Sequence, residues 1–296
     1  MRRGLVVALL ATLGMIACGQ GNGNPVVPTP TPISPPTGAL APWASFPAGQ
    51  TPRPVVLVGT GSPNSGFGNS EDAEMAAKCH KFTTAITLSK VIPRTANASW
   101  STGTRASYPS ISAAAAFAAM KQLGPAPSQG ACTPVQPQVV TAVKFGSYGL
   151  STDRGNAQID SWIFTMSRID GEIAYPAIGP AALWNADVSV GSASSASTLS
   201  VDGRSLTYTF YGSPDSAGPC GADYKAVVAE SSTAVAIALQ ETPHASPGQP
   251  VACPAVAQQR TVVATLAQPV GGRVVVDATG NLISVCPGAK PDCERS

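Results

Sequence analysis

Along much of the chain apolar residues alternate with polar or small ones, and a period of two marks β-strands. Trp162, Phe164 and Met166 share one face of such a segment, and Leu206, Tyr208 and Phe210 share one face of another. Val235, Ile237 and Leu239 alternate with alanines, which predicts a strand with both faces at least partly covered. Val262, Ala264 and Leu266 lead into a turn at Pro269 to Gly272, with Val274 to Val276 as the return strand; Thr279-Gly280-Asn281 then permits a reversal into Leu282 to Val285. The pattern changes at 113–116, an alanine run that favours helix, with Ser110 or Ser112 as cap. Phe117, Met120 and Leu123 form its apolar stripe, and Gly124-Pro125 ends it. A shorter helix is expected around 71–81. Together these elements predict an α+β fold, rich in antiparallel sheet, with one main helix packed on a sheet.

The two ends of the chain read differently. Arg2 and Arg3, an apolar stretch at 4–16 and the small Ala17 precede Cys18, the build of an export leader. Met15-Ile16-Ala17-Cys18 resembles a bacterial lipobox, which implies cleavage between Ala17 and Cys18 and lipidation of Cys18. The apolar run is shorter than the roughly 20 residues that span a bilayer, so it predicts a cleaved leader and not a membrane helix. The expected organisation is a signal peptide at 1–17, a lipidated cysteine and Pro/Thr/Gly-rich tether at 18–70, a globular region at 71–293 divisible near 191–204, and a tail at 294–296. Pro25, Pro28, Pro30, Pro32, Pro35 and Pro36 favour extended polyproline conformations in the tether, and Gly59, Gly61, Gly66 and Gly68 prolong it. The leader places the protein on the extracytoplasmic face of the cell membrane, anchored by lipid, with an envelope protein or a small ligand as its expected partner.

Charge and cysteine content narrow the reading. Loss of Arg2 and Arg3 with the leader lowers the Lys and Arg count from 18 to 16, which balances the 16 acidic residues. No basic patch accumulates, which argues against nucleic acid as a partner. With one of the 7 cysteines taken by lipid, six remain in an exported chain, an even number that predicts disulfides. Pairing of sequence neighbours gives Cys79–Cys132, Cys220–Cys253 and Cys286–Cys293. A metal site is disfavoured, because no Cys-x-x-Cys pair occurs and only His80 and His244 could add ligands. No cofactor motif is present.

From about residue 83 to 285 the chain resembles uncharacterised lipoproteins of actinobacteria. Three stretches carry the likeness: 112–123 with Cys132 and Val139-Val140-Thr141-Ala142-Val143; Thr152-Asp153-Arg154-Gly155 leading to Ser161-Trp162-Ile163-Phe164; and Cys220-Gly221 through Glu230-Ser231, Cys253, Arg260-Thr261-Val262, Leu266, Pro269-Val270-Gly271, Arg273 and Asp277. The resemblance implies a location at the envelope and a disulfide-containing α+β domain, and no activity.

Candidate chemistry is sparse. No Gly-x-Ser-x-Gly elbow or Ser-x-x-Lys pair accompanies the two histidines, so no catalytic residue is assigned. Glu71, Asp72 and Glu74 lack calcium-loop spacing and suit the first turn of a helix. Asp170 and Glu172 flank Gly171 in a turn; as paired carboxylates they would need a separation of about 5 or 6.5–9.5 Å to cleave a glycosidic bond. Asp153 and Arg154 form the most suggestive polar pair. In one reading they make a ligand-facing cluster, with Arg154 binding a carboxylate or phosphate and Trp162 stacking on the ligand. In the other, which the local sequence favours, Asp153 caps backbone amides in a structural turn and Gly155 takes a positive φ. The expected function is a non-enzymatic binding or interaction module at the cell envelope; the alternative is a cell-wall glycan or peptide hydrolase using carboxylates.

Overall fold

The computed structural model describes residues 32–58, 75–76, 79–122, 132–133, 135–167, 172–184, 196–200, 202–216, 218–244 and 252–287. Ala17, Cys18, the loop at 59–70, the acidic cluster of Glu71, Asp72 and Glu74, Leu123 with Gly124-Pro125, Asp170, Gly171 and Cys293 lie outside these residues. The fold is sheet-rich, with mixed sheets.

The largest sheet is built on a long hairpin of β5 (Gln138–Thr152) and β6 (Gly155–Met166). β2 (Phe82–Thr84) joins β5 in parallel, while β3 (Ala96–Trp100) and β7 (Glu172–Pro176) share the far side of β6, with β4 (Arg105–Tyr108) outside β3. Phe164 and Met166 point into the core of this sheet, as the two-residue period predicts, and Trp162 packs at its margin. The helix Ala113–Met120 lies on the same core through Ala116, Phe117 and Met120. Its cap is Ser112, whose hydroxyl accepts from the Ala115 N–H at 3.3 Å. Met75 and Ala76, within the shorter helix expected around 71–81, are also helical.

Two further sheets face each other as a sandwich. One runs β13 (Gln258–Thr265), β10 (Ser205–Gly212), β9 (Ala196–Leu199), β15 (Ser284–Pro287); the other runs β11 (Ala222–Glu230), β12 (Ala234–Pro243), β14 (Val274–Asp277). Between them lie Leu206, Tyr208, Phe210, Val262, Ala264 and Leu266 on one side and Val235, Ile237 and Val275 on the other. The expected hairpin from Val262–Leu266 back through Val274–Val276 does not form. β13 pairs antiparallel with β10, whereas β14 crosses over and pairs parallel with β12. The turn at 269–272 is therefore a connection between sheets. Its local Pro-Gly signal marked the reversal, while partner choice was made by which apolar face each strand had to bury.

The segment at 37–58 corrects the expected tether. A 3-10 helix, Thr37–Trp43, brings fully buried Trp43 and nearly buried Phe46 against the second face of the β11–β12–β14 sheet, where Ala234, Ala236, Val274 and Val276 lie. The small alanines of β12 make the room that an indole needs, so Val235 and Ile237 fill the sandwich while Ala234 and Ala236 receive Trp43. The Trp43 indole N–H donates to Gly280 O at 3.4 Å. Gly272 is required where this segment crosses, because a Cβ there would stand 2.0 Å from Ala48 O. The segment ends as β1 (Val55–Val56), parallel to β8 (Leu183–Trp184). Proline content marked it as extended, yet it carries the apolar residues that cover an otherwise open sheet face.

Cys79–Cys132 and Cys220–Cys253 are disulfide-bonded, with Cα–Cα distances of 5.6 and 5.4 Å. They close loops of 53 and 33 residues, each stabilising by about 4 kcal/mol in the chain-entropy treatment. Cys286 is also in a disulfide, and its partner lies outside the described residues.

Candidate functional site

The turn at the tip of the β5–β6 hairpin is buried. Gly155 has φ +85°, a conformation that costs little only without a Cβ. The capping group is Thr152 and not Asp153: its hydroxyl donates to Gly155 O at 2.6 Å and accepts from Arg154 N at 3.1 Å and the Trp100 indole at 3.0 Å. That arrangement frees the Asp153 carboxylate, which pairs with the Arg53 guanidinium at 2.5 Å; the two side chains are 2% and 10% exposed. Arg53 also donates from Nε to Gly272 O, its guanidinium lies 4.8 Å from the Phe46 ring, and its carbonyl accepts the Tyr108 hydroxyl at 2.9 Å. Backbone bonds close the node: Asp153 N–H donates to Val56 O at 3.0 Å, and Val285 N–H donates to Asp153 O at 2.9 Å.

Arg154 stacks on Trp100, its guanidinium carbon 3.9 Å from the ring centroid. Trp162 takes no part. It stands opposite Phe145 in the middle of the hairpin, makes an edge contact with it at 5.2 Å and donates to Ile111 O at 2.8 Å. Strand geometry puts it about 25 Å from the turn, so the expected Asp153, Arg154 and Trp162 ligand cluster is not assembled. Asp153 and Arg154 belong to a structural node, and Trp162 anchors the chain leading into the helix.

The open polar site lies at the other end of the sandwich. A groove of about 470 Å³ is lined by Thr209, Asp215, Gln258, Gln259, Arg260 and Thr261. β10 and β13 carry Thr209, Thr261 and Gln259 on one face because Thr209 pairs with Thr261, and Tyr211 with Gln259; Gln258 and Arg260 alternate to the other face, and Asp215 follows β10. Arg260 is fixed from several directions: Nη1 donates to Ser213 O at 2.6 Å and Ala222 O at 3.1 Å, Nη2 lies 3.7 Å from Asp215, and the guanidinium lies 5.2 Å from the Tyr224 ring. The Tyr224 hydroxyl in turn accepts from Ser213 N at 2.8 Å. Cys220–Cys253 pins the loops beside it.

His244 clamps this end of the β11–β12 hairpin. Nδ1 lies 2.6 Å from Ser216 O, and Nε2 lies 3.3 Å from Asp223 Oδ2. Both neighbours are acceptors, so the arrangement suits the imidazolium. The pKa is accordingly raised, first by the Ser216 carbonyl and then by Asp223, with burial opposing. His80 differs: partial burial beside Cys79 lowers its pKa. Glu172 pairs with Lys144 at 2.6 Å across the hairpin surface. Glu230 accepts from Ala267 N and Arg273 Nη1, each at 2.7 Å. Its burial pushes the pKa up, but these two donors outweigh that and hold it below the usual value.

The sequence reading missed Arg53, Trp100 and the groove. One signal for the groove was available. Leu206, Tyr208 and Phe210 face inward, so Tyr211 must face outward, an aromatic placed in water.

Arg53→Ala leaves the Asp153 charge buried without its partner and is expected to cost about 3–5 kcal/mol, measured by urea unfolding. Arg53→Met with Asp153→Asn should lose less than Arg53→Ala, since no charge is then stranded. For His244, the folded pKa lies above the unfolded value of 6.5, so its contribution is present in full below pH 6.5 and is lost as pH rises through the folded value. The gap in melting temperature between wild type and His244→Gln should therefore narrow from pH 6 to pH 8.5; a gap independent of pH contradicts the clamp. Compared with family models, characterised proteins and solved structures, the chain finds no match.

Proposed function

We propose that the protein is a lipid-anchored, extracytoplasmic binding module of the bacterial envelope, and not an enzyme. The leader and lipobox support the location, as does the resemblance to actinobacterial lipoproteins. The groove lined by residues of β10, β13 and the loop after β10 carries the binding reading. Its lining includes one carboxylate, Asp215, next to the Arg260 guanidinium at 3.7 Å. A glycoside hydrolase of the common kind needs two carboxylates facing one bond, one of them with a raised pKa. Among the described residues the carboxylates with shifted pKa values are Asp202 and Glu230, and both move down. Fixed polar groups around an open cleft suit recognition.

Radiolabelled palmitate supplied to an expressing bacterium should enter the wild-type protein and not Cys18→Ala; labelling of the variant would overturn the anchor. Isolated cell walls incubated with the soluble domain should retain it without releasing soluble sugar or peptide fragments. Fragment release at a rate proportional to protein would establish a hydrolase instead.

A further inference from the structure

The outward face of β10 and β13 carries Ser205, Thr207, Thr209 and Tyr211 opposite Thr265, Val263, Thr261 and Gln259. Tyr211 is 70% exposed and Val263 61%. Neither residue is needed for the core, which is filled from the opposite face by Leu206, Tyr208, Phe210, Val262 and Ala264. Tyr211 stands in register with Gln259 and on the same strand face as the Thr209–Thr261 pair, three residues that line the groove. The side chains of Tyr211, Gln258, Gln259 and Thr261 make no hydrogen bond to another described residue.

From this juxtaposition we infer that the groove is a carbohydrate-binding site, in which Tyr211 stacks on the apolar face of a sugar ring while Gln259, Thr209 and Thr261 hydrogen-bond its hydroxyls. The inference rests on the binding reading above and names its ligand class. A sugar hydroxyl both donates and accepts, and so do a glutamine amide and a threonine hydroxyl, so each can be satisfied without a charge. The ring's C–H face needs an exposed aromatic plate, and a tyrosine supplies a rigid, amphipathic one at low entropic cost. Competing ligand classes fit less well. An anionic ligand such as a phosphate or an acidic peptide needs an uncommitted cation, yet Arg260 is held by Asp215, two backbone carbonyls and the Tyr224 ring. An apolar peptide needs a row of aliphatic and aromatic side chains, whereas Tyr211 and Val263 stand here among threonines, a serine and a glutamine. Paired positions repeat every ~6.8 Å along the strands, so the four ranks from Tyr211–Gln259 to Ser205–Thr265 extend about 20 Å, room for several linked sugar rings. An extended glycan is therefore favoured over a monosaccharide.

The test uses the soluble disulfide-bonded domain and bacterial cell walls freed of protein with proteinase K. Retention should survive proteinase K and fall at least tenfold when soluble oligosaccharides released from the same walls by partial acid hydrolysis are added as competitor. Tyr211→Ala should weaken retention tenfold or more, and Gln259→Ala several-fold, with melting temperatures unchanged because both side chains are exposed. Tyr211→Phe should bind nearly as well as wild type, since the ring face is kept. Retention that the wall oligosaccharides do not compete, or that is equal in Tyr211→Ala and wild type, overturns the carbohydrate site while leaving the binding module intact. Binding lost on proteinase K treatment assigns a protein partner and also overturns it. No retention on either preparation overturns both readings.

Discussion

The ion pair between Arg53 and Asp153 is the constraint on which the remaining architecture depends. Asp153 sits at a hairpin tip that is sealed from water, where an unpaired carboxylate would cost several kcal/mol. Its partner comes from a segment 100 residues away in sequence. The same guanidinium reaches Gly272 in the loop before β14, and the backbone around Asp153 bonds to both Val56 and Val285. Four distant parts of the chain are thus brought to one point by directional bonds. Burying charge is a poor way to gain stability, but it fixes which groups must meet, since any other arrangement strands a charge.

That registration lets residues 37–58 act as a cover. β12 is apolar on both faces, and a three-stranded sheet with one face open would expose Ala234, Ala236, Val274 and Val276 to water. Trp43 and Phe46 close that face, and their size is accommodated because the residues beneath them are small. Large side chains on the sandwich face and alanines beneath the indole are two halves of one packing solution. The cover is continuous with β1, which is locked to β8 and to the hairpin tip, so anchoring and packing reinforce each other.

At the opposite end of the sandwich the same economy leaves a prepared polar surface. Arg260 is held by carbonyls, a carboxylate and an aromatic ring, and the loops around it are tied by Cys220–Cys253 and by the His244 clamp. Groups held this way have little freedom left to lose, which suits the proposed binding role. The outward face of β10 and β13 carries threonines, glutamine and one tyrosine, a composition that the fold does not require.

Local pattern determined much of this by itself. The helix at 113–120 with its Ser112 cap, the inward ranks of β10 and β13 and the positive φ at Gly155 follow from short-range periodicity and capping, and the preference for sequence neighbours matches the Cys79–Cys132 and Cys220–Cys253 pairs. The outward position of Tyr211 was legible in the same way, from its place between inward neighbours. Only the tertiary structure decided that β14 pairs in parallel with β12, that Thr152 and not Asp153 caps the turn, that Arg154 rests on Trp100 while Trp162 stands apart, and that a proline-rich stretch belongs to the core. The physical reason is common to all four. A two-residue period states which face of a strand is buried, and a proline states that a backbone is extended, but neither names the surface that comes to cover it. That choice depends on steric fit and charge pairing between segments far apart in sequence, and those exist only once the chain has closed.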